Sequence, residues 1–306
     1  MNRYLYHAIA TALLVGIALL AWWLFAERDE AGEIAIVGEA PELRGMEPDS
    51  AEELLRRFEE LDYEWPPGGP VPALAIRSLP DDMNELRVQD KKSAFFRSLA
   101  PMIAAENAVL RREREFLQQV FADPGRLEDI ETRAKVEALA VRYKVAGEPT
   151  DSRFQRKLLT HVDVVPPGLI LAQAANESAW GTSRFARQAN NLFGIWTWNK
   201  DKGLEPLRRD PDATHFVRIY SDLQAAIRNY LYTINIGGAY EQLRQLRADM
   251  REANKPLDPI VLAGGLEKYS ERGEAYVEEI RSMITYNKLD DLRRFELRDG
   301  TGAASP

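Results

Sequence analysis

The segment from Pro166 to Gly181, PPGLILAQAANESAWG, constrains the fold most, because it reads as one apolar helix with a single carboxylate, Glu177, near its end. Pro166 and Pro167 suit a first helical turn, and Gly181 helps to end the helix. Ile170 and Ala174 lie seven and three residues before Glu177, so the carboxyl shares a face with core-like side chains. Such surroundings desolvate a carboxyl and oppose its ionisation. Each pKa unit costs the ionised form about 1.4 kcal/mol, within what a partly buried site supplies. A glutamate kept protonated near neutrality is the proton donor that cleavage of a glycosidic bond needs. Position alone favours the blander alternative of a solvated glutamate at a helix end.

Composition narrows the function classes. At 306 residues and 45% hydrophobic content, the chain can bury the core of one medium catalytic domain beside an accessory segment and an anchor. It has no cysteine, which excludes disulfides, a thiolate nucleophile, cysteine-bound metal and a lipoprotein acyl anchor. Its three histidines, His7, His161 and His215, argue against a histidine metal site, so no metal or organic cofactor is expected. A net charge of -8 without a basic stripe argues against nucleic acid as a partner.

Ala8 to Ala26 contains no charged residue and is long enough to cross a bilayer as a helix. Arg3 precedes it and Glu27, Arg28, Asp29 and Glu30 follow, which favours an N-terminus inside the cytoplasm. The bulky Trp22-Trp23-Leu24-Phe25 end lacks a small-x-small cleavage pattern, so an uncleaved anchor over residues 1–26 is preferred to a signal peptide. Residues 27–70, acidic and broken by glycine and proline, read as a tether with one short helix at Ser50 to Leu61.

Residues 71–150 read as a helical accessory region. Lys91 to Phe121 carries apolar residues at helical spacing, interrupted by Pro101, and Leu127 to Tyr143 repeats the pattern more weakly. From 151 to 290 the pattern is mostly helical, at about Asp222–Ile234, Ala239–Asn254, Pro259–Leu266 and Ala275–Asn287. A polar insertion spans Asn199–Thr214, followed by a short β-like run at Thr214–Tyr220. Residues 291–306 lose periodicity and read as a disordered tail.

Three separated blocks carry a family likeness. AQAANESAWGTSRFA, then NNLFGIW at Asn190–Trp196, then LAGGLEKYSERGEAYVEEI at Leu262–Ile280, resemble in sequence and order the Bax-type glucosaminidases of glycoside hydrolase family 73. A looser likeness begins near Val71 and the whole runs to about Lys288. The resemblance implies a mainly α, lysozyme-like, two-lobed catalytic domain with a small β element, preceded by accessory helices and the N-terminal transmembrane helix. It implies cleavage of β-1,4 bonds after N-acetylglucosamine in peptidoglycan glycan strands, with Glu177 as general acid. With the anchor at residues 8–26, the implied location is the bacterial inner membrane, single-pass, with the catalytic domain facing the periplasm.

The resemblance also implies that Tyr269, in the KYSERGEAY block, points its hydroxyl at the reaction centre. Asn190 and Asn191 are candidates to hydrogen-bond an acetamido group, or else cap and turn the chain. Trp180, Phe193, Trp196, Trp198 and Tyr220 are candidates to stack on sugar rings, although large rings more often fill cores. The second catalytic group stays open. An inverting enzyme needs a base about 6.5–9.5 Å from the acid and a retaining one a nucleophile about 5 Å away. The family's glutamate in a longer β-hairpin has no counterpart beside Thr214-His215-Phe216. Glu205 and Asp212 are the candidates, with Asp201, Asp210 and Asp222 behind them, and the substrate's own acetamido oxygen is another route. Two rival functions remain: a lytic transglycosylase, which shares the architecture and a single glutamate, and a non-catalytic glycan-binding scaffold for envelope assembly.

Overall fold

The computed structural model describes residues 35–206, 214–292 and 295–298. The expected membrane span at Ala8–Ala26 lies outside them, and among the described residues no helix is long and apolar enough to cross a membrane.

The described residues are mainly helical. At the centre stands α5 (Pro167–Ser178), which follows α1 (Ala51–Glu60), α2 (Val88–Ala122), α3 (Ile130–Arg142) and α4 (Ser152–His161) in the chain. Pro167 occupies the first turn of α5, as its missing N–H allows. Every residue from Pro167 to Ala175 is buried. A helix apolar on all sides has to be enclosed on all sides. It is packed by α2 and by two later helices, α9 (Pro259–Ala263) and α10 (Glu274–Tyr286). Leu169, Ile170 and Leu171 are fully buried, each contributing about 1.5–3 kcal/mol on the scale of side-chain transfer.

Gly168 sets how closely α5 meets the C-terminal segment. A Cβ there would stand 2.2 Å from the Leu289 carbonyl oxygen, which is backbone and cannot swing aside. Gly168→Ala is therefore expected to destabilise the protein by about 1–3 kcal/mol through overpacking, read as a lower denaturant midpoint at unchanged slope.

The sheet elements are small. β1 (Arg44–Met46) pairs in parallel with β2 (Leu74–Ile76), with Arg44 opposite Leu74. Between α6 (Arg184–Ala189) and α7 (Leu223–Ile236) lies a three-stranded antiparallel sheet in the order β3 (Trp196–Thr197), β5 (Phe216–Arg218), β4 (Gly203–Leu204). The expected β-like run is thus β5, and part of the polar insertion pairs with it. The remaining helix, α8 (Glu241–Glu252), carries Arg247, which is buried to 1% exposure.

Arg247 anchors the turn that launches α5. Its guanidinium donates to the carbonyls of Thr160, Asp163 and Val164 and to Asn235 Oδ1. The buried Asp163 carboxylate pairs with Arg251 at 2.8 Å and with Arg114 at 3.3 Å. Loop 162–166 is thereby tied to α2, α7 and α8 at once.

Three expectations need correction. The segment read as a tether is folded from β1 onward: Ser50 caps α1, and Ala51, Leu54, Phe58 and Tyr63 enter the same hydrophobic core as α2 and α5. The expected short helix is there, but its acidic residues face solvent while one apolar face is buried, so net charge concealed its place in the core. Pro101 does not interrupt α2, which runs unbroken over 35 residues. The proline removes one donor, but Phe95, Phe96, Leu99, Met102 and Ile103 around it are buried, and their packing outweighs the lost bond. The tail is not wholly disordered: Phe295 is buried, Leu297 bridges to Val71, and Arg298 donates to the carbonyls of Leu61, Asp62 and Pro70. Apolar residues at alternating positions 295 and 297 are a strand-like pattern too short to register as periodicity. Residues 299–306 lie outside the described ones.

Candidate active site

The end of α5 builds the site. Helical hydrogen bonding stops after Ser178, and Ala179 (φ 50°), Trp180 (φ 60°) and Gly181 (φ 77°) then follow with positive φ. Two non-glycine residues in the left-handed region are costly and persist only where the surroundings impose them. Here Ser178 Oγ accepts from the Gly181 N–H at 2.8 Å, and a Cβ on Gly181 would overlap Leu79 at 2.2 Å. Trp180 wedges against Phe95 and Phe96, with the Lys92 ammonium over its ring. This reversal leaves Glu177 half-buried at the helix end.

Tyr276, on the first turn of α10, donates its hydroxyl proton to Glu177 Oε1 at 2.8 Å. Behind it, Gln173 Nε2 donates to the Tyr276 oxygen at 3.2 Å, and the Tyr230 hydroxyl donates to Gln173 Oε1. Glu177 Oε2 faces the turn at Gly194 (φ +65°), where a Cβ would stand 3.7 Å from it. Burial pushes the Glu177 pKa up; hydrogen bonds from Tyr276 and Asn176 and the charge of Arg272 partly offset this, while the charge of Glu279 adds to it. Glu279 lies three residues beyond Tyr276 on the same helix, ion-paired to Arg272 at 2.7 Å. Burial likewise raises the hydroxyl pKa values of Tyr230, Tyr269 and Tyr276, keeping them donors.

The other candidates divide. Tyr269 donates to the Phe193 carbonyl at 2.9 Å and lies beside Tyr276, ring centroids 5.1 Å apart, so it braces the turn while Tyr276 holds the acid. Asn191 is a clamp: it donates to the carbonyls of Ile195 and Arg218 and accepts from the N–H groups of Phe193 and Ile195. Asn190 ends α6 in the left-handed conformation and donates to the Tyr220 carbonyl. Phe193 stacks on Tyr230 in the core, and Tyr220 is buried with its hydroxyl on Asn229. Trp180, Phe193, Tyr220 and Asn191 are thus engaged in packing or turn formation rather than facing open solvent.

Trp196, on β3, and Trp198, just after it, are 53% and 72% exposed, and Trp196 stacks on His215 at 3.9 Å. Glu205 is exposed, its carbonyl accepting from Arg184. Asp201 is also exposed, and Asp222 caps α7 by accepting from the Ala225 N–H. Asp210 and Asp212 lie outside the described residues. Sequence reasoning passed over Gln173, Tyr276 and Glu279. The signal for them was their spacing: Gln173 is one helical turn before Glu177, and Tyr276 and Glu279 are an i, i+3 pair on α10. Among the described residues no cluster of three or more His, Cys, Asp or Glu side chains is placed to hold a metal ion.

Residues 154–289 match the family model described as mannosyl-glycoprotein endo-beta-N-acetylglucosaminidase, or Glucosaminidase, a span that holds α5 to α10 and the whole Glu177 cluster. Protein bax of Escherichia coli (strain K12) is 30% identical to this chain over 212 residues, covering 69% of the chain and 75% of that protein. The chain belongs to the Bax-type glucosaminidases, a family of glycoside hydrolases. No solved structure matches it significantly.

Proposed function

We propose that the protein is an endo-β-N-acetylglucosaminidase that hydrolyses β-1,4 bonds after N-acetylglucosamine in peptidoglycan, with Glu177 protonating the leaving oxygen. The observation that carries this reading is the half-buried Glu177 carboxyl, hydrogen-bonded by Tyr276 at a break in the central helix, where burial raises its pKa. In this reading α5 and the small sheet form two walls of a lysozyme-like cleft. Trp196 and Trp198 supply exposed faces for pyranose rings; Asn190, Asn191, Phe193, Tyr220 and Trp180 shape the wall behind them. Tyr269 orients the Phe193-Gly194 turn under the substrate.

For the second group, Glu205 and Asp212 stay as candidates and Glu279, whose charge acts on Glu177, joins them; anchimeric attack by the acetamido oxygen would need none of the three. We place the protein at the inner membrane with this body in the periplasm, on the strength of the uncharged segment Ala8–Ala26.

Digestion of purified peptidoglycan, with the ends of the muropeptides read by mass spectrometry, tests the reaction. Reducing N-acetylglucosamine ends are expected. Products ending in 1,6-anhydro muramic acid would make the protein a lytic transglycosylase, and binding of glycan without any products would leave a scaffold.

A further inference from the structure

Gln173 lies on the buried side of Glu177, one helical turn earlier, at 0% exposure. A buried primary amide has a carbonyl end and an amino end, and its partners decide which way it points. On one side is the Tyr230 hydroxyl, whose proton goes to Gln173 Oε1. The amide nitrogen is thereby turned to Tyr276 and donates to its oxygen at 3.2 Å. A phenol oxygen occupied in this way offers its one proton outward, and the acceptor it meets is Glu177 Oε1 at 2.8 Å.

From this chain of donors we infer that Gln173 is a positioning residue that assigns the transferable proton of Glu177 to Oε2. The argument rests on the reading of Glu177 as the acid. Oε1 receives a proton from Tyr276 and cannot also present one to it, so the carboxylic acid form carries its hydrogen on the oxygen that faces the Gly194 turn. That turn is exposed at Gly194, which is the side from which the proposed glycan would approach. Without the relay, Glu177 could point its proton at the Tyr276 oxygen, where it would be withheld from the substrate. Proton donation then leaves the charge on a carboxylate already hydrogen-bonded at Oε1, with no reorientation at the moment of transfer.

The relay has few competitors. The charged groups bearing on Glu177 are Glu279 and Arg272, the titratable hydroxyls around it are Tyr230, Tyr240, Tyr269 and Tyr276, and the Asn176 side chain also hydrogen-bonds its carboxyl. Tyr269 also meets the Tyr276 hydroxyl, and the fully buried Gln173 amide is the nitrogen donor to it.

The test uses the full chain and two substitutions. Gln173→Met keeps the side-chain volume and removes the amide; Tyr230→Phe is milder and frees the amide to flip, so one variant reports even where the other folds poorly. Each is expected to lower kcat about tenfold with KM changed less than twofold, because transition-state proton donation is affected and glycan binding is not. Each should also move the Glu177 titration to higher pH, followed by carbon NMR of labelled glutamate and assigned by difference from Glu177→Gln. In a Tyr276→Phe background neither substitution should add a further loss. An unchanged titration, or full additivity with Tyr276→Phe, overturns the positioning role. The NMR titration needs no turnover, so retained activity in Glu177→Gln would count against the acid alone, whereas a dead Glu177→Gln beside an unmoved titration would count against Gln173 alone.

Discussion

Glu177→Gln is expected to abolish glycan cleavage, with turnover falling by at least about 10²–10⁴-fold, the range attributed to a positioned general acid. Glutamine preserves size and can still accept from Tyr276, so KM and the circular dichroism spectrum should stay as they are. The variant should in fact be more stable near neutral pH. Burial raises the Glu177 pKa in the folded protein, so the folded state binds that proton more tightly than the unfolded chain. The associated stability is fully present below the unfolded pKa and is lost as pH rises through the folded one. Glutamine has nothing to lose there, and the melting temperature of the variant should exceed that of the parent at neutral and alkaline pH but not in acid. The same sign applies to catalysis: kcat should fall as pH rises through the raised pKa, because the donor is then deprotonated. Near-parental activity in the variant would refute the assignment of the acid, and a melting temperature lower by several degrees would show that Glu177 is chiefly structural.

Asp163→Ala is expected to have the largest effect on stability. Its carboxylate stands among Arg114, Arg247 and Arg251, and Arg247 is fully enclosed. Burial alone would raise the Asp163 pKa, but the three guanidinium groups outweigh it and hold it below the usual range. Burial pushes Arg247 down to about 10 even with Asp163 beside it. Deleting the anion leaves charged guanidinium groups without compensation, a change that typically costs about 3–5 kcal/mol. At about 2–4 °C per kcal/mol for a domain of this size, the melting temperature should drop by roughly 10 °C. Because the folded pKa is depressed, the parent's stabilisation from this group is present above the unfolded pKa of about 3.9 and disappears as pH falls through the folded value. The stability gap between parent and variant should therefore narrow in acid. A drop of under two degrees at neutral pH would mean that the arginines are solvated or neutralised in some other way.

Glu177 was legible in the sequence because a lone acid on an apolar helix, flanked by prolines and a glycine, has few explanations. Its partner was not. Tyr269 and Tyr276 are seven residues apart, a spacing that would put both on one helical face, but α10 begins only at Glu274 after a turn through Gly273 (φ 54°). The turn resets the phase, leaving only Tyr276 aimed at the acid. The packing of Trp180 was hidden for a related reason: its left-handed backbone, which no local pattern announces, swings the ring into the Phe95–Phe96 cluster. Asn191 looked like a substrate ligand because an asparagine's hydrogen-bonding capacity is visible in sequence and its consumption by four backbone groups is not. Helix starts were legible where a capping side chain announced them, as with Ser50. Continuity through Pro101 was hidden because the rule against interior proline is local and the burial that overrides it is tertiary.

The clasp between Arg298 and the carbonyls of Leu61, Asp62 and Pro70 also has a temporal meaning. Residues 61–72 leave the ribosome more than two hundred residues before the side chain that completes them, as the numbering of these contacts requires. During synthesis the α1–β2 region has to wait with its carbonyls solvated and Val71 unpaired until residues 296–298 emerge. A protein truncated before Phe295 would differ from a finished one chiefly in this waiting segment, so quality control that reads exposed strand edges could distinguish them by residues 61–72.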